Sequence, residues 1–380
     1  MREGWEYKKL GDVCQVVTGS TPKTNISEYW DGNYPWVTPA ELKGDVYISD
    51  TARHITEEAI AHTNLTLLPI GTVLLSSRAP IGKVAITTIE MYCNQGFKNL
   101  ICSDAINNKY LYLWLSGKTE YLNSLGRGAT FKEISRTIVE NVIIPLPPLS
   151  IQKSIVTELD KINELIRLKR EQLKDYDNLA QSIFYEMFGD PVVNEKGWIV
   201  KTIGDVCSLK SGDSKANKSP KGTLPYVKVG DMNLPGNENY ITCSSTYVDR
   251  DYNKRGIFPI GSILFPKRGG AILTNKKRMA AVEICCDLNT MGVIPSEVLN
   301  KHYLFQWFKI LDLGTICSGS TILQLNNCDI APLLIQIPPL TLQQTFAKRI
   351  ELIEQQKAEI QSTIADLETL LASRMQYWFD

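Results

Sequence analysis

The chain has 380 residues, with 41 basic and 41 acidic side chains, so its formal net charge is zero. Its hydrophobic fraction of 43% and charged fraction of 22% are ordinary for a soluble globular protein of two or three domains. No apolar run approaches the roughly 20 residues of a membrane-spanning helix, and the first residues lack the apolar region of a signal peptide. We therefore expect no membrane contact and a cytoplasmic location.

Segments of the first half of the chain return in the second half. The matching pairs are Gly4-Trp5…Leu10-Gly11-Asp12-Val13-Cys14 with Gly197-Trp198…Ile203-Gly204-Asp205-Val206-Cys207, Leu68-Pro69-Ile70-Gly71-Thr72 with Phe258-Pro259-Ile260-Gly261-Ser262, and Pro147-Pro148-Leu149-Ser150-Ile151-Gln152 with Pro338-Pro339-Leu340-Thr341-Leu342-Gln343. Their offsets of 193, 190 and 191 residues are close to half of the chain. A solenoid is excluded, because its repeat would be about 20–50 residues. We predict two domain-sized copies that contact two similar but different targets.

The first globular copy, residues 1–148, is predicted to be a mixed α/β domain. Val73-Leu74-Leu75 has the composition of a short buried strand, and the apolar run from Tyr110 to Leu115 is too dense for a surface helix and indicates a buried one. We expect Trp36 to be a core or interface residue. The loops between these elements are rich in Gly, Ser, Thr, Lys and Arg. Their candidate binding side chains are Thr21, Lys23, Arg78, Lys83, Lys98 and Arg127.

Residues 149–190 are predicted to form a first long helix. Apolar side chains recur there at alternating steps of four and three, with Lys169 at the one position of this series that is polar. The apolar members are Ile155, Leu159, Ile162, Ile166, Leu173, Tyr176, Ala180, Ile183 and Met187. Such spacing over almost five heptads is typical of a coiled coil.

The second globular copy, residues 191–339, repeats the mixed α/β pattern, with a predicted strand at Ile263-Leu264-Phe265 and a predicted helix from Tyr303 to Phe308. Residues 191–340 contain 17 Lys and Arg against 12 Asp and Glu, an excess that can serve nucleic-acid binding only if the basic groups share one face. The polar loops differ from those of the first copy, as two readers of different targets require, although neutral drift after duplication would also make them differ. The candidate binding side chains here are Lys210, Lys215, Lys228, Lys267, Arg268, Lys276, Lys277 and Arg278.

Residues 340–380 are predicted to form a second long helix of matched length. Its apolar series is Phe346, Ile350, Ile353, Ile360, Ile364, Leu367, Leu371 and Trp378, with Lys357 and Arg374 as polar interruptions. One helix takes the chain from the first copy to the second and the other leads back, so we expect an antiparallel pair about 55 Å long with a globular copy at each end. Lys169 and Lys357 would fix the register of this pair. The alternative is that each helix packs on the surface of its own domain.

The predicted fold class is therefore α+β. It consists of two mixed α/β globular domains joined by two long antiparallel helices that form a coiled coil, with a pseudo-twofold internal repeat. The predicted boundaries are 1–148, 149–190, 191–339 and 340–380.

No catalytic constellation is found in the sequence. Both Pro-Pro pairs lack the flanking residues of an adenine methyltransferase motif, and no G-x-x-x-x-G-K-[ST] phosphate-binding loop occurs. His54, His62 and His302 lack the spacing of metal ligands. Asp31 with Glu41-x-Lys43 faintly resembles the triplet of a metal-dependent nuclease. Such triplets arise often by chance, so we do not interpret this one as a nuclease site.

Several motifs of this chain are shared with one known family. They are the Gly-Trp…Leu/Ile-Gly-Asp-Val opening of each half, Tyr34-Pro35-Trp36-Val37-Thr38, Ser76-Ser77-Arg78-Ala79-Pro80-Ile81-Gly82, Asn94-Gln95-Gly96-Phe97-Lys98, and the Pro-Pro-Leu-x-x-Gln start of each long helix. In these motifs the chain resembles the specificity subunits of type I restriction–modification enzymes over essentially its whole length. The second copy departs from the first, with Asn289-Thr290-Met291-Gly292 in place of Asn94-Gln95-Gly96 and Tyr226 in place of Trp36.

The resemblance implies a targeting subunit that is not itself catalytic. Each globular copy would be a target-recognition domain for one half of a split, asymmetric site in double-stranded DNA, contacted by the candidate side chains named above. The helix pair would set the spacing of the half-sites and dock two methylation subunits, which carry S-adenosylmethionine. Restriction subunits using ATP and Mg would complete the complex, and this chain would hold no cofactor or metal.

Two other functions remain open on the residues alone. The chain could be a coiled-coil scaffold between proteins, with the globular copies as peptide binders, or a two-headed nuclease. Methylation by purified partner subunits, with and without this chain, separates the three.

Overall fold

The structure is a computed structural model that describes residues 4–128, 132–213, 222–250, 256–318 and 322–380. The chain divides into two compact units, of which the first contains Met1–Lys169 and Thr363–Asp380 and the second contains Arg170–Ser362. Each unit therefore holds one globular copy and one stretch of each long helix. Within the described ranges, no helix is both long enough and apolar enough to cross a membrane.

The strands of the first unit build one main sheet, a smaller sheet and a separate pair. They are β1 (Glu6–Lys9), β2 (Cys14–Thr18), β3 (Trp30–Val37), β4 (Tyr47–Ile48), β5 (His54–Ile55), β6 (Val73–Leu75), β7 (Val84–Thr87), β8 (Tyr92–Cys93), β9 (Lys98–Cys102) and β10 (Ile143–Leu146). The main sheet has the order β2-β9-β6-β7-β4, the smaller sheet has the order β5-β3-β8, and β1 pairs with β10. β4 and β7 run parallel, as do β3 and β8.

The helices of the first unit are mostly short. They are α1 (Leu10–Val13), α2 (Glu57–His62), α3 (Asn108–Ser116), α4 (Thr119–Ser124) and α5 (Arg136–Glu140), followed by the long α6 (Leu149–Phe188), which continues into the second unit. In α3 every side chain from Tyr110 to Leu115 is buried. This confirms the prediction of a buried helix from its dense apolar run.

The main sheet of the first unit is covered on both faces. Val73 and Leu75 of β6 pack into the larger core, which also contains Tyr110 of α3. Leu74 packs on the opposite face with Phe97. Alternate side chains of a strand point to opposite faces, so a strand buried on both sides is uniformly apolar, as the Val-Leu-Leu run predicted.

The second unit repeats this arrangement of strands. They are β11 (Ile199–Thr202), β12 (Cys207–Ser211), β13 (Leu224–Val227), β14 (Tyr240–Ile241), β15 (Tyr247–Val248), β16 (Ile257–Phe258), β17 (Ile263–Pro266), β18 (Arg278–Ala280), β19 (Ile284–Cys286), β20 (Thr290–Pro295) and β21 (Leu334–Ile337). The main sheet has the order β12-β20-β17-β18-β14, the smaller sheet has the order β15-β13-β19-β16, and β11 pairs with β21. The parallel pairs, β14–β18 and β13–β19, correspond to those of the first unit.

The helices of the second unit follow the same plan. They are α7 (Ile203–Val206), α8 (Lys301–Ile310), α9 (Leu313–Ile316), α10 (Asn327–Ile330) and the long α11 (Leu340–Phe379), which continues into the first unit. α8 is buried from His302 to Phe308. The duplication seen in the sequence is thus a duplication of topology, and the prediction of mixed α/β copies with two long helices is confirmed.

The long helices pack against each other in each unit. In the first unit the Glu158 carboxylate of α6 accepts hydrogen bonds from Arg374 Nη2 and Trp378 Nε1 of α11, both at 3.1 Å. The hydrogen bond from Arg374 lowers the pKa of the Glu158 carboxyl below its ordinary value. These contacts exclude the alternative in which each helix packs only on its own domain.

In the second unit the contacts also fix the direction of the helices. Lys357 Nζ of α11 lies 2.8 Å from Asp177 Oδ1 of α6, and Phe346, earlier in α11, packs against Phe188, later in α6, with ring centroids 5.3 Å apart. Residue numbers therefore rise along one helix while they fall along the other. The two helices run antiparallel, as predicted from the chain path.

The predicted apolar series is accurate for α11 from Phe346 to Ile360. Its later positions in α11 are only half-buried, and the series is wrong at the end of α6. Phe184 and Phe188 are fully buried, whereas the predicted positions Ile183 and Met187 are only half-buried. The reason is that Phe184 and Phe188 contact both Phe346 and Tyr303 of α8. A helix that packs on a partner helix and on a globular core at once buries a wider face than a coiled-coil repeat describes.

A buried glutamine attaches each long helix to its globular copy. Gln152 of α6 has no exposed surface; its side-chain nitrogen donates to the carbonyl oxygens of Pro147 at 2.8 Å and Ala105 at 3.1 Å. Its side-chain oxygen accepts from the backbone N–H of Asn107, 2.8 Å away. Asn107 is the N-cap of α3, so the amide joins α6 to the buried helix.

Gln343 makes the same three contacts in the second unit. Its side chain bonds to Pro338 at 2.8 Å, Val298 at 3.1 Å and the N–H of Asn300, the N-cap of α8, at 2.7 Å. These contacts account for the glutamine in both copies of the Pro-Pro-Leu-x-x-Gln motif.

We expect Gln152→Leu to destabilise the first unit by about 1–3 kcal/mol, because a side chain of similar size leaves a buried N–H and two carbonyls without partners. Denaturant unfolding followed by circular dichroism measures this. Gln181→Leu, at an exposed position of the same helix, is the matched control and should change the unfolding free energy little. Equal effects of the two substitutions would contradict the attachment role.

Candidate nucleic-acid interface

Four polar loops of the first unit are joined by hydrogen bonds at one end of the main sheet. Ser20, after β2, donates its N–H to the Cys93 carbonyl at 3.0 Å. Ser77, after β6, donates its N–H to the Gly96 carbonyl at 2.7 Å and accepts from the N–H of Ile134 at 3.0 Å. The loops around residues 18–23, 93–98 and 76–83, together with residues 126–128 and 132–134, therefore form one continuous polar surface, here called the first loop cluster.

Trp36 holds the first of these loops in place. Its indole Nε1 donates to the carbonyl of Ser20 at 3.0 Å, while its ring is almost fully buried. Gly19, the preceding residue, leaves no room for a side chain, because a Cβ atom would lie 2.1 Å from the Asn94 carbonyl oxygen. The expectation that Trp36 is a core residue is confirmed, and its polar atom positions the loop that carries Thr21 and Lys23.

An ion-pair network crosses the middle of the cluster. Glu133 accepts from Arg78 Nε at 3.0 Å with one oxygen and from Lys98 Nζ at 3.1 Å with the other. Lys98 also donates to Ser77 Oγ at 3.2 Å and is buried. Burial alone would raise the pKa of the Glu133 carboxyl, but the hydrogen bonds from Lys98 and Arg78 lower it below its ordinary value. Lys98 thus holds the Glu133 carboxylate from the interior, and Arg78 binds its other oxygen from the solvent side.

The other predicted side chains of the first copy have different surroundings. Thr21 is hydrogen-bonded to the side chain of Gln95, and Lys83 Nζ lies 3.4 Å from the Pro39 carbonyl. The side chains of Lys23 and Arg127 are exposed. Arg127 lies in the cluster through two backbone hydrogen bonds with Glu133, both of 3.0 Å.

The second unit builds an equivalent second loop cluster. Asp213, after β12, donates its N–H to the Cys286 carbonyl at 2.8 Å, and Lys267, after β17, donates its N–H to the Asn289 carbonyl at 2.7 Å. Leu325 donates its N–H to the Lys267 carbonyl at 2.9 Å. The same four loops meet, with different side chains.

Tyr226 takes over the role of Trp36. Its hydroxyl donates to the Asp213 carbonyl at 2.9 Å, which is the position equivalent to Ser20. Gly212 is as confined as Gly19, since a Cβ atom would lie 2.0 Å from the Asp287 carbonyl oxygen. The change from Trp to Tyr therefore preserves the loop anchor.

Two of the basic residues of the second cluster bond to a hydroxyl and to a backbone carbonyl, where those of the first cluster bond mainly to a carboxylate. Lys267 Nζ donates to Ser211 Oγ at 2.9 Å, and Lys210 Nζ donates to the Ile257 carbonyl at 3.0 Å. Arg268 is exposed and Lys228 is half-exposed. Lys215 lies outside the residues that the structure describes.

Of the three predicted contacts Lys276, Lys277 and Arg278, the one at Lys277 needs correction. Lys277 is buried and donates to Asn275 Oδ1 at 2.7 Å and to the Leu311 carbonyl, and its burial lowers its pKa to about 8. Arg278 donates through Nη2 to the Met232 carbonyl at 3.1 Å, and Lys276 donates to the side chain of Asn233. Of the three, only Arg278 lies in β18, and in the segment before this strand the side chain of Lys277 points inward.

The two lysines predicted to fix the helix register differ. Lys357 is buried and bonded to Asp177 Oδ1 at 2.8 Å and Glu354 Oε1 at 3.4 Å. Lys169 is half-exposed. A buried, paired lysine in the helix interface disfavours a shifted register, which supports this role for Lys357.

Nothing among the described residues suggests a nuclease centre. No group of three or more His, Cys, Asp and Glu side chains is placed there to hold a metal ion. Glu41 accepts from the Thr38 N–H at 2.7 Å and from the Ala52 N–H at 2.8 Å, so both of its oxygens cap backbone groups.

Both halves of the chain match one known domain. Residues 2–175 and residues 195–369 each match the type I restriction modification DNA specificity domain. The chain belongs to this specificity family. The resemblance stated from the sequence motifs is confirmed.

Curated relatives of the family support this membership. The MjaIX type I restriction enzyme specificity subunit of Methanocaldococcus jannaschii is 33% identical over 379 residues, which cover 91% of this chain and 86% of the relative. The EcoR124I/EcoR124II specificity subunit of Escherichia coli is 29% identical over 192 residues, or 49% of this chain and 47% of the relative.

Solved structures share the fold of the specificity family. A chain from a type I R-M system, described for its complex assembly and conformational transition, has a TM-score of 0.63 at 20% identity and matches over 99% of this chain and 97% of its own. The S subunit of a type I restriction–modification system from M. genitalium has a TM-score of 0.55 at 13% identity, over 99% of this chain and 96% of its own.

Two features of the specificity chain's first cluster were missed by sequence reasoning. The prediction of DNA-contacting residues covered only basic side chains and one threonine. It therefore missed Glu133, the carboxylate that orients two of the basic side chains. Arg53 stacks on Trp30, with its Cζ 3.6 Å from the ring centroid, and Trp30 Nε1 donates to the Lys23 carbonyl at 3.3 Å. The Trp-x₅-Trp spacing of Trp30 and Trp36 could have indicated a paired aromatic site. No sequence pattern links the distant Arg53 to it.

Proposed function

We propose that this chain is the sequence-specific DNA-recognition subunit of a type I restriction–modification complex. Each loop cluster contacts one half of a split site in double-stranded DNA, and the length of the long helices sets the number of base pairs between the halves. The chain carries no catalytic residues, and the chemistry belongs to its partner subunits.

One observation carries this proposal: the same sheet topology presents two loop clusters whose anchors match and whose exposed side chains differ. Trp36 and Tyr226 hold equivalent loops, and the confined Gly19 and Gly212 are shared. The exposed cations Arg78 and Arg268 are also equivalent but have different neighbours. A constant frame with variable loop side chains is what recognition of two different sequences requires, because side chains at base edges determine specificity.

We propose the following partners for this chain. Two methylation subunits that bind S-adenosylmethionine dock on the long helices, and restriction subunits that use ATP and Mg join the full complex. Membership in the specificity family and the exposed apolar side chains of the long helices, among them Leu165, Leu168 and Leu352, support docking there.

The deciding experiment is DNA methylation by purified methylation subunits, with and without this chain. We expect a defined split motif to be modified only when the chain is present, as read by sequencing of modified adenines. A scaffold would leave the modified sequence unchanged, and a nuclease would cut DNA without partners when magnesium is added. Either result would refute the proposal.

Lys277→Met tests the correction of the predicted contacts. Because its ammonium is bonded inside the second unit, we expect DNA affinity and its dependence on salt to stay unchanged. Loss of a phosphate contact would instead reduce the salt slope by about one charge.

A further inference from the structure

The first loop cluster holds its exposed arginine in a fixed orientation. Arg78 Nε lies 3.0 Å from Glu133 Oε2, and the side chain of Arg78 is 48% exposed. Glu133 is itself fixed from the protein side, because Lys98, with only 6% of its side chain exposed, bonds to the other oxygen at 3.1 Å. A buried lysine, a carboxylate and an exposed guanidinium thus form a rigid chain from the interior to the surface.

This arrangement leaves one side of the guanidinium available. Nε is used by Glu133, while neither Nη1 nor Nη2 of Arg78 has a partner among the residues that the structure describes. Two parallel N–H donors match the O6 and N7 acceptors of guanine in the major groove. Because the side chain is held before DNA arrives, less conformational entropy is lost when it binds.

The second loop cluster has the same backbone without this support. Arg268 pairs with Gln324 through its backbone as Arg78 does with Glu133. The Gln324 amide is neutral and donates to Asn326 Oδ1 at 2.9 Å instead. Met291, which is fully buried, stands where the first copy has Lys98. Within the described ranges, nothing orients the guanidinium of Arg268.

We propose that Glu133 is a positioning residue that orients Arg78 for a bidentate contact with one guanine in the first half of the DNA site, and that Arg268 contacts a backbone phosphate. This inference rests on the proposed function. The two copies then use equivalent arginines in two ways: Arg78 reads a base, and Arg268 neutralises a phosphate charge.

The test uses the chain assembled with its methylation subunits. Glu133→Gln gives the first unit the residue that the second unit has at the equivalent position, Gln324. We expect discrimination against other bases at one position of the first half-site to fall by roughly 5- to 100-fold, while the reading of the second half-site is retained. Arg268→Ala should weaken binding to all sequences alike and reduce the salt slope by about one charge.

Two further variants keep the result interpretable. Arg78→Lys retains the charge but replaces the planar guanidinium, whose Nε pairs with Glu133 while its other nitrogens face outward, by a single ammonium, so it should relax the same position with Glu133 intact. Glu140→Gln removes the surface ion pair between Glu140 and Arg136, of 2.6 Å, and should leave specificity unchanged.

The outcomes separate this inference from the proposed function. If the wild-type complex modifies no defined motif, the proposed function fails. If it does, but Glu133→Gln or Arg78→Lys lowers affinity uniformly without relaxing any base, the positioning role is refuted. Relaxation of one base in the first half-site, in both variants, supports it. Modified-base sequencing gives the specificity, and fluorescence anisotropy at several salt concentrations gives the slope.

Discussion

Lengthening both long helices by one heptad should lengthen the gap within the modified DNA motif by about three base pairs. Seven helical residues add about 10.5 Å, and base pairs of B-DNA are stacked about 3.4 Å apart. The insertions belong next to Lys169 in α6 and Thr363 in α11, where the chain passes from one compact unit to the other. Modified-adenine sequencing of the reconstituted complex measures the gap.

The helix contacts explain why both helices must change. Glu158 bonds to Arg374 in the first unit, and Asp177 bonds to Lys357 in the second. Insertions at equivalent levels preserve both pairs. An insertion in α6 alone shifts one pair by two turns, so we expect it to lower thermal stability and to give no longer gap. An unchanged motif from the double insertion would show that the helices do not set the spacing.

Much of the fold could be predicted because periodicity reports burial directly. The Val-Leu-Leu and Ile-Leu-Phe runs were recognisable as strands since both sheet faces are covered. The series along α11 was correct from Phe346 to Ile360, including the buried Lys357, because an apolar stripe of constant period fixes which face is buried. The burial of Phe184 and Phe188 was not predicted, because both pack on the partner helix and on the globular core at once, and a single helical period describes only one of these interfaces.

The candidate site could be predicted only in part. Loop composition pointed to Arg78 and Arg268, and the structure shows that their side chains reach solvent. It could not separate them from Lys98 and Lys277, because the direction of a basic side chain depends on carbonyls and carboxylates far away in the sequence. Glu133, which orients Arg78, lies 55 residues away from it in the sequence. The second loop cluster has Gln324 at the equivalent position.

Phe346→Ala should have the largest effect on stability of any single substitution considered for this chain. Phe346 has no exposed surface, and its ring lies 5.8 Å from that of Phe184 and 5.3 Å from that of Phe188. Replacing a fully buried phenylalanine by alanine costs about 3–5 kcal/mol, because the lost burial and the remaining cavity add. For a unit of this size the thermal midpoint should fall by about 6–20 °C.

The size of this effect follows from what the aromatic cluster joins. Phe184 and Phe188 also pack on Tyr303, at 5.5 and 4.7 Å between ring centroids, so Phe346 connects α11 to α6 and, through it, to the buried helix α8. Leu352→Ala, at a position of α11 that is 63% exposed, is the matched control. Phe346→Leu should recover most of the loss, since it refills most of the cavity. Differential scanning calorimetry distinguishes the three, and a Phe346→Ala midpoint no lower than that of Leu352→Ala would show that the cluster does not hold the helices together.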